Sequence, residues 1–117
     1  MISIIELVSD PRRYHRRDVH VMGFLSLDFE GRTLYLHRED YIHRLFRNGV
    51  GVSLEQTALQ SAKSNNFDKS YVLVEGRFDA EDHGHRDTLM GTLKDIKFIT
   101  PIPPVKDIQA LPENLAK

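Results

Sequence analysis

Cysteine is absent from this chain. Its absence excludes disulfides, thiolate metal ligation and cysteine nucleophiles together, and it is compatible with a reducing cytosol. An excess of charge of either sign is missing too: 16 Lys and Arg stand against 17 Asp and Glu, a formal net charge of −1. No overall field therefore gathers nucleic acid or an anionic membrane, and an electrostatic partner must be recognised by a local patch. No run approaches the ~20 apolar residues that a bilayer-crossing helix needs. The opening "MISIIELVSDPRRYHRR" has a short apolar stretch broken by Glu6 with its positive charges behind it, the reverse of a secretory leader. These features lead us to expect a cytoplasmic protein without a membrane partner. Ser26, Ser53 and Thr57 lie in no nucleophile-elbow context, and no glycine loop of the phosphate-binding kind occurs. The expectation is a non-enzymatic protein with no cofactor.

What is present fits one domain of 117 residues, long enough to bury a core without staples. Ser3 is placed to cap a short helix through Ile4, Ile5, Leu7 and Val8, and Asp10-Pro11 starts a second helical turn ending near Tyr14. From Val19 to Leu27 the pattern alternates, with Val19, Val21, Gly23, Leu25 and Leu27 on one side and His20, Met22, Phe24 and Ser26 on the other. A turn at Glu30-Gly31 leads into a second strand through Leu34 and Leu36, so the two form a hairpin. The period then becomes helical at Tyr41, Ile42, Leu45 and Phe46, predicting a short helix packed on the strands. "VGVSLEQ" is a third strand, "TALQSAKSNNF" a helix closed by a polar turn, "KSYVLVEGRFDA" a fourth strand, and Thr88 to Ile99 a fifth. Residues 101–117 hold four of the five prolines and form a C-terminal surface segment that would either pack through Ile102, Val105, Ile108 and Leu111 or hang loose.

Three strands, a helix and two more strands, with glycines inside the first and fourth, is the element order of a five-stranded OB-like Greek-key barrel. The expected fold is mainly β, with short helices at the N-terminus, between strands two and three, and between strands three and four, residues 1–100 forming the domain. The segments "ELVSDPRRYHRRDVHVMGFL", "YVLVEGRFD" and "GTLKDI" resemble those of small bacterial OB-fold-like proteins, across most of residues 4–99. That resemblance implies the barrel and no particular reaction. Where the group usually has a small residue before the first strand, this chain has Arg16-Arg17.

Three clusters could carry function. The stretch "DAEDHGHRD" holds Asp79, Glu81, Asp82, His83, His85 and Asp87, and it joins the last two strands. Histidines two apart among carboxylates could hold zinc, but no third ligand is fixed and Gly84 suggests a turn, so no metal site is assigned and a polar hairpin tip is the plainer reading. The same acids suit a basic cleft on a protein partner, as in an immunity-type protein that occludes a toxin. The second cluster is Arg12, Arg13, Arg16 and Arg17 around Tyr14 and His15. With Phe24 and Tyr35 expected on the outside of the first hairpin, it offers forks and ring faces for single-stranded nucleic acid; alternatively Tyr14 plugs the barrel end and the arginines pair with acids. Phe24, Tyr35 and Tyr71, taken as exposed, are also of the type that anchors protein interfaces. The third, His37, Asp40 and His43, lacks a nucleophile, and a helix packed on the barrel explains it more simply. Protein recognition is the expected function, with nucleic-acid binding as the alternative.

Overall fold

The computed structural model describes residues 1–28, 31–84 and 87–104. Its elements are β1 (Ile2–Ser3), α1 (Ile4–Ser9), α2 (Pro11–Tyr14), β2 (Asp18–Ser26), β3 (Thr33–Tyr35), α3 (Arg38–Ile42), a 3-10 turn (Phe46–Asn48), β4 (Gly49–Val52), α4 (Gln56–Ser64), β5 (Ser70–Asp79) and β6 (Thr92–Pro101). β2 pairs antiparallel with β3 and with β5, β3 antiparallel with β4, and β5 antiparallel with β6. A parallel β4–β6 pairing completes the ring. The order β2-β3-β4-β6-β5 and back to β2 is the closed OB-like barrel that the element order predicts.

Period-2 alternation fills the interior. Val19, Val21, Leu25 and Leu27 from β2 and its exit meet Val72, Val74 and Phe78 of β5, together with Leu34, Val50, Val52 and Leu93. Ile4 and Leu7 of α1 and Leu59 and Ala62 of α4 join the same core, so the helices are held by the face that they bury. Ser3 caps α1 as expected: its hydroxyl accepts from Glu6 N–H at 3.1 Å, and Glu6 Oε1 accepts from Ser3 N–H at 3.2 Å. Gly23 marks the closest approach in the barrel wall, where a Cβ would lie 2.5 Å from Tyr35 O and 2.9 Å from Leu34 Cγ.

Three details depart from expectation. Ile2 and Ser3 pair parallel with Val21 and Met22, a short strand that two residues of sequence do not announce. The last strand begins at Thr92 rather than Thr88, because Leu89 and Gly91 fold back against Gly84 and Phe78, and it continues to Pro101. The insertion after β3 packs through Tyr41 and Phe46 rather than through its whole apolar set, leaving Ile42 and Leu45 exposed. Glu30 of the predicted turn, and Val105, Ile108 and Leu111 of the C-terminal segment, lie outside the described residues.

Candidate functional site

The basic cluster and the acidic loop, far apart in sequence, face each other at one end of the barrel. Arg16 N–H donates to Phe78 O at 2.7 Å and Phe78 N–H to Arg17 O at 3.0 Å, which stitches the entry of β2 to the end of β5. Arg16 adopts φ 64, a left-handed conformation, to make this turn. Tyr14 packs against the core, as the structural reading of that cluster expects. The stitch delivers His15 to the loop. Ala80 N–H donates to His15 Nδ1 at 3.0 Å, which places the ring proton on Nε2, 3.1 Å from Glu81 Oε1. Arg12 approaches the same carboxylate at 4.0 Å.

Asp79 and Asp82 of the loop are also engaged. Lys94 lies 3.0 Å from both Asp79 and Asp82. Its ammonium holds the Asp79 carboxyl below the usual range, with help from the Glu81 N–H; the Gly84 N–H and then Lys94 do the same for Asp82, and both acids push Lys94 up. His83 Nδ1 sits 2.9 Å from Leu89 O, Asp87 N–H donates to Gly84 O, and His85 lies outside the described residues. Among the described residues no three His, Asp or Glu side chains converge as a metal shell. Of the arginines, Arg13 rests over the Tyr14 ring at 5.7 Å.

Phe24 and Tyr35 require a correction. They do point away from the barrel interior, yet only 3% and 2% of their surfaces are exposed, because the insertion between β3 and β4 covers them. Tyr41 lies 5.8 Å from Phe24 and 5.9 Å from Tyr35, with Phe46 at 6.4 Å from Tyr35 and Tyr71 at 5.2 Å from Phe24. Burial raises the Tyr35 phenol above its ordinary pKa. The cover is fastened by polar contacts. Asp40 accepts from His37 N–H at 2.8 Å and from Asn48 Nδ2 at 2.9 Å; Tyr41 OH donates to Asp28 at 3.2 Å, and Lys69 bonds Asp28 at 2.6 Å while lying 4.9 Å over the Tyr41 ring. Asp40 is thus a capping group; His37 Nδ1 lies 4.0 Å from its Oδ2, and His43 approaches Glu39 instead, at 3.8 Å. The face of strands two and three, where this type of barrel commonly binds oligonucleotides, is covered by the chain's own aromatics.

The bare part of the barrel is the outer side of β2, β5 and β6. Its rows are His20, Glu75 and Phe98; Met22, Leu73 and Thr100; and Phe24 with Tyr71, beside which Ile102 N–H donates to Tyr71 O at 3.0 Å. Met22, Tyr71 and Phe98 are 36%, 39% and 40% exposed. At the Tyr71 end the surface deepens into a groove of about 820 Å³. Met22, Phe24 and Tyr71 line it together with Leu36, Phe67 and Ile102, and its polar rim includes His37, Arg38, Asn65, Asn66 and Lys69. Among the described residues no carboxylate lines it. Tyr71 was legible as an exposed aromatic; Met22 and Phe98 were not, although both sit on the solvent parity of strands whose other face is core.

Neither a family model nor a curated protein matches the chain. Among solved structures it is similar to an OBody, AM3L15, bound to hen egg-white lysozyme, with 18% identity, a TM-score of 0.47, and coverage of 80% of this chain and 87% of that one. A likeness this distant carries no function across. No helix among the described residues is long and apolar enough to cross a membrane.

Proposed function

We propose that this chain is a non-enzymatic binding module that recognises a protein partner through the outer face of β2, β5 and β6. The observation that supports this most is that Met22, Tyr71 and Phe98, three of the seven large hydrophobics exposed among the described residues, stand in three successive rows of one sheet face. Large apolar side chains gathered on one face are typical of an interface. An immunity-type protein that occludes a toxin is one form of the reading. In that form the sheet face supplies the contact, since Asp79, Asp82 and Glu81 are already occupied by Lys94, His15 and Arg12. Nucleic-acid binding has less support, because Phe24 and Tyr35 are covered and Arg12 pairs with Glu81.

The experiment is an affinity comparison of the wild-type chain with a Met22→Lys, Phe98→Lys variant, read by mass spectrometry and then with the purified partner. A stoichiometric partner should be held by the wild type and lost by the variant. Equal retention by both removes this face from the function. A single-strand oligonucleotide titration at low salt should be flat; salt-sensitive binding abolished by changing Arg12, Arg13, Arg16 and Arg17 to Ala would restore the nucleic-acid reading.

A further inference from the structure

We infer that the partner presents an extended peptide segment with apolar side chains about four residues apart and a carboxylate beside the one seated at Tyr71. This rests on the protein-recognition reading and specifies its chemistry. The length follows from the sheet. Tyr71 and Glu75, opposite which Phe98 pairs, are four residues apart on β5, about 13 Å at the rise of a strand. A segment in extended conformation spans that distance with four residues of its own, so one apolar side chain enters the groove at Tyr71 and another covers Phe98. A small ligand confined to the groove would leave Phe98 bare.

The charge follows from the rim. Among the described residues the groove is lined by Arg38, Lys69 and His37 and by no acid. Lys69 is engaged, with Asp28 at 2.6 Å and Asp68 at 2.9 Å. Arg38 is exposed and has no ion pair among the described residues, and its own backbone N–H donates to Tyr71 OH at 2.9 Å, which fixes the start of α3 beside the groove. A guanidinium in that position offers a planar fork for a carboxylate. Further along, the charges neutralise one another: Lys97 pairs with Asp18 and approaches Glu75, which also contacts His20, and Arg77 pairs with Asp95. The demand for an anion is therefore confined to the Tyr71 end.

The experiment selects short random peptides from a displayed library against the full chain, then titrates the selected sequences, synthesised with a fluorophore, by anisotropy. Selected peptides should carry two large apolar residues at the stated spacing and an Asp or Glu next to one of them. Arg38→Glu should weaken them roughly fivefold or more, as loss and reversal of a partly exposed ion pair implies, and replacing the peptide acid by Lys should recover affinity in that variant. Arg38→Glu places an acid in the first turn of α3, where it is favourable, so the fold persists; Arg38→Gln provides the uncharged comparison. Peptides that bind, are lost on Met22→Lys, and ignore both Arg38 variants would overturn the anionic partner while leaving protein recognition standing. No selected binder, binders indifferent to Met22→Lys, or a concentration-dependent dimer abolished by Met22→Lys would overturn the inference together with the reading beneath it.

Discussion

The cover over Phe24 and Tyr35 hangs on one buried carboxylate, and Asp40→Ala tests it. Asp40 Oδ2 accepts from the His37 N–H at 2.8 Å and Oδ1 from Asn48 Nδ2 at 2.9 Å, so the side chain ties both ends of the insertion together. Removing it deletes a helix cap, about 1 kcal/mol, and leaves a partly buried amide without its charged acceptor, about 1–3 kcal/mol. The expected loss is about 2–4 kcal/mol, large against the ~5–15 kcal/mol typical of a domain yet short of unfolding it. Asp40→Asn keeps an acceptor and should cost about 1 kcal/mol. Urea unfolding followed by far-ultraviolet circular dichroism measures both, with the slope checked for a changed denatured state. A second measurement reports on the cover itself. Burial holds the Tyr35 phenol above its ordinary pKa, so in Asp40→Ala the spectrophotometric titration of the four tyrosines should move toward lower pH. A loss below about 0.5 kcal/mol, with an unchanged tyrosine titration, would refute the role given to Asp40.

The pH dependence has a definite sign. Asp28, Asp79 and Asp82 are depressed in the folded chain, chiefly by Lys69, Lys94 and the Gly84 N–H respectively, so their contribution is full above the unfolded value near ~3.9 and is lost as pH falls through the folded ones. Lys94 is raised, so its contribution is full below ~10.4 and fades as pH rises through its folded value; urea midpoints should decline at both extremes, Lys94→Met should flatten much of the acid limb, and an unchanged midpoint down to about pH 3 contradicts the assignment. Gly23→Ala drives a Cβ against Tyr35 O and Leu34 and should cost about 1–3 kcal/mol in the same assay, whereas a neutral effect would mean that β3 can retreat. His15→Ala removes the acceptor of Ala80 N–H and should cost about 1 kcal/mol; amide hydrogen exchange at Ala80 should accelerate with it, and unchanged protection there would argue against the bond.

The barrel was legible because its strands repeat a simple period. Val72, Val74 and Phe78 alternate with Tyr71, Leu73 and Arg77, and the parity that the sequence displays is the parity found. Parity fixes which way a side chain points from a sheet but not what comes to lie over it. Phe24 and Tyr35 point outward as expected and are nevertheless buried, since their cover depends on contacts such as Tyr41 to Asp28 and Arg38 to Tyr71, which no local pattern encodes. The ionic clusters failed to be legible for the same reason. Each looked like a surface offered to an outside partner, and part of that partner lay elsewhere in this chain: Glu81 faces Arg12 and His15, and Lys94 holds Asp79 and Asp82.

That covering relocates the face available for recognition. β1 is paired on one side only and β6 meets β4 only at Thr92 and Leu93, so a partner has short strand edges, an outer face or a loop to use. The insertion occupies the outside of β2 and β3 with Tyr41 and Phe46, and Leu89 lies where a side chain on Gly51 of β4 would stand. What remains open is the sheet of β2, β5 and β6. Its charged residues are paired among themselves, which makes it a poor surface for a polyanion and leaves its apolar row as the main source of binding free energy. Among the described residues, the one charge beside the groove that this internal pairing does not reach is Arg38, and it belongs to the insertion that closed the other face. If the proposed reading holds, the same segment blocks one binding surface and equips the other, so its loss should do more than expose Tyr35: it should also remove the proposed selectivity for an acidic partner.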